Sequence, residues 1–247
     1  MRNALLGYTG FVGSNLYDQL DKEGLECYNS KNFSDLKGHF DNVYCCCVPG
    51  VKYIANAKPL EDLQNILKIL TKLKEITCDN FFLVSSQDCN ANTFSNENFF
   101  DIPPTKYGTH RLIFEKYCQD FFNCYTLRIG CLFGNNLRKN IIYDLMNGHF
   151  LENIKEDYTM QLYCLDNLKH DFDMLKAKDI RVLNRFSEPV WISDIINVFN
   201  KCGYNYSFNL KKNFDKCYNN TGMLYSSEYQ LSLLEEFIWK FKHSSTP

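Results

Sequence analysis

The chain has 247 residues, 45% apolar and 23% charged, enough to bury a substantial core as one large domain or one domain with a small appendage. Its net charge of -2, with acids and bases interspersed, offers no strong field to nucleic acid or an anionic membrane. No run approaches the ~18 apolar residues of a membrane helix, and Met1-Arg2-Asn3-Ala4-Leu5-Leu6 meets a glycine turn without a signal-peptide core, so a cytoplasmic protein with reduced thiols is expected.

Ala4-Leu5-Leu6 ends a first strand, and Val12 to Leu20 reads as a helix with Val12, Leu16 and Leu20 at helical spacing. Leu25 to Tyr28 is a second strand. Val43 to Val48 is a third, closed by Pro49-Gly50 and holding the consecutive Cys45-Cys46-Cys47. Free cysteine packs in such a strand as a small hydrophobe. None of the twelve cysteines forms a C-x-x-C pair and the five histidines are scattered, so no metal site is expected. Leu60 to Leu73 is an amphipathic helix with Leu63, Ile66, Leu67, Leu70 and Leu73 on one side. Phe81 to Val84 is a fourth strand, followed by Ser85-Ser86-Gln87-Asp88. Pro103-Pro104 interrupts structure before a helix over Lys106 to Phe122, and Tyr125 to Ile129 is a fifth strand. Beyond Gly134, Ile141 to Met146 reads as helix, and Gln161 to Leu165 and Ile180 to Leu183 as strands. Ser193 to Phe199 starts a helix with Ser193 as its cap, and the last residues read as a frayed tail.

Strands alternating with helices predict an α/β chain, a Rossmann-type doubly wound parallel sheet with a small C-terminal substrate-binding portion. Residues 1–134 form the expected dinucleotide-binding domain. Residues 135–247 form a mixed segment that completes the sheet and adds a small substrate-binding lobe.

Gly7-Tyr8-Thr9-Gly10-Phe11-Val12-Gly13 stands directly after the first strand and opens the first helix. A phosphate approaches backbone N–H groups only where no Cβ intervenes, and the helix dipole favours its charge. This run, continuing Ser14-Asn15-Leu16, resembles the start of the extended short-chain dehydrogenase/reductases, the nucleotide-sugar epimerase, dehydratase and reductase group. The resemblance implies that Gly7, Thr9, Gly10, Phe11, Val12 and Gly13 hold a dinucleotide. It also implies that Cys46, Cys47 and Val48 line its adenosine or pyrophosphate side, and that Gly130 and Leu132, in Arg128 to Gly134, pass its nicotinamide end. An NAD site carries an acid at the end of the second strand. Here Tyr28-Asn29-Ser30-Lys31-Asn32 has none, and the hydroxyl of Ser30 and the cation of Lys31 suit a 2′-phosphate. NADP(H) is therefore favoured over NAD(H), although Asp35 restores an NAD reading in a shifted alignment.

Tyr107-Gly108-Thr109-His110-Arg111 falls where the family has Tyr-x-x-x-Lys. Residues four apart share a helix face. A free phenol near pKa ~10 is a sluggish acid at neutral pH, and a neighbouring cation lowers its pKa. The resemblance makes Tyr107 the acid/base, Arg111 the ribose clamp, and Ser86 the carbonyl orienter, with Ser85 as runner-up. Arginine keeps the charge but never gives up a proton, which is the main departure from the family. Asn140, after Arg138 and Lys139, is the candidate substrate contact. The reading implied is an NADP(H)-dependent reductase or epimerase acting on a nucleotide-diphosphate sugar or keto-sugar. The alternative is a catalytically weakened NADP(H)-binding regulatory protein of the same fold. The expected partner is a small molecule, with a homodimer through the helices at 60–73 and 106–122 as a possibility the resemblance adds.

Overall fold

Short apolar segments separated by helical ones become neighbouring parallel strands. The computed structural model describes residues 1–90, 105–214 and 224–244. In chain order it runs β1 (Asn3–Leu6), α1 (Phe11–Gln19), β2 (Leu25–Tyr28), β3 (Gly38–Cys45), α2 (Lys52–Ala57), α3 (Pro59–Leu73), β4 (Ile76–Ser86), α4 (Lys106–Phe121) and β5 (Cys124–Ile129). Then follow β6 (Cys131–Phe133), α5 (Ile141–Asn147), β7 (Glu156–Asp157), β8 (Thr159–Met160), β9 (Leu162–Cys164), α6 (Leu168–Ala177) and β10 (Val182–Asn184). The chain continues through β11 (Val190–Trp191), α7 (Ile192–Lys201), β12 (Lys211–Lys212) and α8 (Ser227–Ser244). Pro103-Pro104 and the residues after Ser244 lie outside the described residues.

The chain divides into two units, Met1–Ile129 with Asp166–Asn184, and Gly130–Leu165 with Arg185–Pro247. The first holds a six-stranded sheet of order β10-β5-β4-β3-β1-β2, every neighbouring pair parallel. This is the Rossmann-type α/β architecture expected. Parallel strands need both faces covered, and alternating side chains supply the two cores. Ala4, Leu6, Val43, Cys45, Phe81 and Leu83 join Ile66, Leu70 and Leu73 of α3 and Phe114 and Cys118 of α4. From the intervening positions, Tyr44 stacks on Phe82 at 4.9 Å and Phe82 on Tyr125 at 5.6 Å, with Phe172 of α6 tilted against Phe82. Strand order reverses at β1, between β2 and β3, the kind of crevice in which α/β sheets bind ligands.

Several sequence expectations shift. β3 starts earlier and ends at Cys45, so Cys46, Cys47 and Val48 leave the strand. The Cys46 N–H still bonds the Leu6 carbonyl. On α3, Leu67 is exposed and Asp62 buried, because Asp62 has charged partners on α4. The cap of α7 is not Ser193, which lies inside the helix. The Ser193 N–H instead donates to the Asp157 carboxylate at 3.0 Å, so a carboxylate from β7 satisfies a first-turn amide.

In the second unit β6 pairs with β9, and β8 with β11. Phe133, Leu145, Leu162, Ile195, Phe199, Leu234 and Ile238 share its core. Asn140, at φ 111°, caps α5: its amide oxygen accepts from the N–H groups of Ile142 and Tyr143. No described helix is long and apolar enough to cross a membrane.

Candidate active site

The carboxyl ends of β1, β2, β3 and β4 deliver most of the expected residues to one edge of the sheet. After β1, Gly7 turns at φ +84°, and a Cβ there would stand 2.7 Å from the Cys46 carbonyl oxygen. A Cβ on Gly13 would stand 2.1 Å from the Gly7 carbonyl oxygen. Strand-to-helix packing alone therefore demands both glycines. Gly10 differs: its Cβ would come no nearer than 3.3 Å to the Gly7 oxygen, and its φ of -78° suits any residue. It is exposed, as is Thr9, while Phe11 and Val12 are half-buried. As N-cap, Gly10 leaves α1 with no side-chain cap, so the first-turn amides are presented without a competing side-chain acceptor.

After β2, Ser30 and Lys31 are exposed. The Asn29 side chain, where an NAD site has its acid, accepts from the Lys31 N–H at 2.9 Å. Asp35 is likewise exposed, in the 3-10 turn Phe33–Asp35. After β3, the Cys45 and Cys47 sulfurs lie 3.4 Å apart, and Cys47 and Val48 pack against the core.

The two serines at the end of β4 have separate partners. Ser85 donates to the Glu115 carboxylate at 2.9 Å. That buried carboxylate also receives Nη2 and Nε of the buried Arg128, at 2.7 and 3.1 Å. Ser86 caps the 3-10 turn Gln87–Cys89, accepting from the Asp88 N–H at 3.2 Å; its hydroxyl donates to the Asp88 carboxylate at 3.3 Å and lies beside the Tyr107 phenol.

Tyr107 is buried near the start of α4. Thr105 accepts from the Gly108 N–H at 3.0 Å, and the Asn56 side chain of α2 accepts from the Tyr107 N–H at 2.9 Å; both fix the helix start. One turn on, the Arg111 guanidinium carbon stands 4.4 Å from the centre of the Tyr107 ring. Ser86, Tyr107 and Arg111 are thus brought together.

Burial pushes the Tyr107 phenol above its ordinary value and Asp88 adds to this; the charge of Arg111, and Ser86, pull down without cancelling it. The net fall expected from a neighbouring cation is therefore not found. Burial is the reason. Arg111 is also paired with Asp62, a partner that the sequence does not reveal. Arg111 Nη2 donates to Asp62 Oδ1 at 2.9 Å and Nη1 to Oδ2 at 3.3 Å, with both side chains buried. Nη2 also reaches the Pro49 carbonyl, and His110 Nδ1 lies 2.8 Å from Asp62 Oδ2. Burial pushes the Asp62 carboxyl up, but its bonds to Arg111 and His110 bring it below the usual carboxylate range. An acid on an amphipathic helix carries no mark of such partners in sequence. Its one signal was position, a polar residue on the apolar side of a helix.

The Arg111 Nε is buried and has no hydrogen-bond partner among the described residues. A donor left so costs about 1–3 kcal/mol, and a ribose hydroxyl is a chemically suited acceptor. With the uncapped α1 and the exposed Gly10 at its start, these residues fit a dinucleotide.

Of the remaining expected residues, Gly130, Leu132 and Asn140 belong to the second unit. The Asn140 Nδ2 donates to the Leu132 carbonyl at 2.8 Å. Since its oxygen caps α5, this side chain braces β6. His39, Asp41 and Asp79 bring ligand-type atoms within 4.8 Å of one another, at exposed or half-buried positions in β3 and β4. The described cysteines are free.

No family model and no curated sequence matches this chain. Solved structures do. UDP-N-acetylglucosamine 4-epimerase from Methanobrevibacter ruminantium, in complex with UDP-N-acetylmuramic acid, is similar with a TM-score of 0.70 at 16% identity, over 99% of both chains. UDP-glucuronic acid 4-epimerase from Bacillus cereus, with UDP-glucuronic acid and NAD, gives 0.64 at 20%, over 96% of this chain and 93% of that one. RMD from Pseudomonas aeruginosa, complexed with NADPH, gives 0.69 at 15%, over 97% of both. The chain has the fold of the extended short-chain dehydrogenase/reductases, the class its glycine turn and Tyr107 region resemble.

Proposed function

We propose that this chain is a nicotinamide-dinucleotide enzyme, a reductase or epimerase, acting on a nucleotide-diphosphate keto-sugar. The observation that carries the reading is the meeting of Ser86, Tyr107 and Arg111 at the sheet edge that also bears Gly10 and the uncapped start of α1. Solved relatives of the same fold carry UDP-sugars, which supports the substrate class.

The α1 amides, with Thr9, Phe11 and Val12 around them, would hold the dinucleotide's diphosphate, and Cys46, Cys47 and Val48 would flank it. Ser30 and Lys31 would meet a 2′-phosphate, which favours NADP(H); relatives of the fold carry NAD or NADPH. Arg111 Nε would donate to the nicotinamide ribose. When bound, the nicotinamide supplies or accepts the hydride. Tyr107 gives its phenolic proton to the carbonyl oxygen, and Ser86 donates a hydrogen bond to the same oxygen and orients it. Gly130 and Leu132 would pass the nicotinamide end of the dinucleotide, and Asn140 would contact the sugar nucleotide. Exposed Leu60 and Leu67 of α3 and Ile113 and Phe121 of α4 suit a homodimer, which sedimentation would report.

The test is turnover: loss of reduced-nicotinamide absorbance with nucleotide 4-keto-sugars. Tyr107→Phe should lower kcat about 10²–10⁴-fold with dinucleotide affinity retained; unchanged turnover removes Tyr107 from the mechanism. A second reading, a dinucleotide-binding protein with weakened catalysis, draws support from the pairing of Arg111 with Asp62. Stoichiometric NADPH binding without turnover, together with faster turnover in Arg111→Lys, would favour it.

A further inference from the structure

We propose that Asp62 is a positioning residue of this site: from α3 it grips Arg111 as half of a neutral pair over the Tyr107 ring, keeping the phenol a proton donor and biasing the site toward carbonyl reduction over alcohol oxidation. This rests on the acid role assigned above to Tyr107.

The geometry is specific. Both guanidinium Nη atoms of Arg111 are committed to the two Asp62 oxygens, and Nη2 also to the Pro49 carbonyl. Three elements thereby hold one planar group, and its carbon lies 4.4 Å from the Tyr107 ring centre. A planar fork fits a carboxylate in this way and a lysine ammonium does not. His110 bonds the same carboxylate from the next position on α4. The Asp62 carboxylate offsets part of the charge that Arg111 presents to the phenol.

The groups facing Tyr107 can be named. From α4 comes Arg111, from the end of β4 Ser86, and from the following 3-10 turn Asp88. Asp88 is itself paired with Lys52 of α2, and α2 also supplies Asn56 to the Tyr107 backbone. α3 supplies Asp62, through Arg111. Burial sets the phenol high, and Arg111, which pulls it down, has Asp62 as its counter-charge.

The consequence is directional. In reduction, hydride arrives at the carbonyl carbon, the C=O π pair takes the phenolic proton, and the phenolate left behind regains a proton from water. Oxidation runs the reverse and starts from phenolate, which a high phenol pKa makes scarce at neutral pH. An epimerase needs both directions in each turnover; a reductase needs only the first.

Ring-carbon NMR of tyrosine-labelled full-length protein, without dinucleotide or substrate, tests this. Tyr107 is identified as the resonance missing from Tyr107→Phe. Asp62→Asn should lower its titration midpoint by about one pH unit or more, and Asp62→Glu should return it close to wild type. A purely structural Asp62 would cost stability without moving the midpoint, so an unchanged or raised midpoint in Asp62→Asn overturns the inference. Should Asp62→Asn not fold, the paired replacement Asp62→Leu with Arg111→Met decides. A midpoint near wild type supports a neutral pair; a rise of about a unit or more, exposing an uncompensated cation in the wild type, overturns it. Failure of this titration leaves dinucleotide binding untouched, and failure to bind dinucleotide leaves the titration unchanged.

Discussion

Glycines that look equivalent in the opening motif answer to different demands. At Gly7 and Gly13 a methyl group would collide with backbone at 2.7 and 2.1 Å, so Gly7→Ala and Gly13→Ala should each lose about 1–3 kcal/mol of stability through overpacking, read by denaturant unfolding. Gly10→Ala should change stability by less than about 1 kcal/mol yet weaken dinucleotide affinity about tenfold or more, read by calorimetry. Equal affinity in Gly10→Ala and wild type would show that no ligand approaches that backbone. The serines divide in the same way, since Ser85 is bound to Glu115 while Ser86 serves Tyr107.

At the scale of elements, β4, α4 and β5 are tied by one buried cluster. Glu115 of α4 takes Ser85 of β4 and Arg128 of β5, and Arg128 Nη1 reaches Asn90 at 2.6 Å. Glu115→Ala would remove the carboxylate that Arg128 meets in the core, which costs about 3–5 kcal/mol. Thermal unfolding should show a large drop, and a loss below about 1 kcal/mol would mean that water reaches Arg128. None of this was legible in sequence. What could be read was local: the apolar runs of β1, β2, β4 and β5, the amphipathic side of α3, and the strand-turn-helix setting of the glycines. Tyr107 and Arg111 were legible because four residues on a helix fix a shared face. Asp62 and Glu115 were not, because a buried carboxylate is defined by partners 49 and 13 residues away. Helices α2, α6 and α8 were missed where apolar residues are too sparse or too mixed to show a period. The cap of α7 was misplaced because Asp157, 36 residues upstream, fills the role given to Ser193.

For the molecule as a whole, acid sensitivity follows in part from two buried carboxylates, one in each unit. Asp62 stays below its ordinary value because Arg111 and His110 outweigh its burial, and Asp157 because Lys212 and Ser193 outweigh its own. A carboxyl depressed in the folded state stabilises it above the unfolded pKa of about 3.9 and loses that stabilisation as pH falls through the folded value. Denaturant midpoints should therefore hold between pH 7 and about 5 and fall below about 4. Asp62→Asn and Asp157→Asn should each flatten that fall, and an unchanged acid limb in both would show that neither pair contributes.

The claim on which the account stands is that backbone at the start of α1 grips a nicotinamide dinucleotide. Calorimetric titration of the full chain with NADPH and with NADH tests it most directly. Saturable binding of about one dinucleotide per chain is predicted, tighter for NADPH and weakened by Gly10→Ala. Absence of binding by either dinucleotide to the folded chain would contradict it.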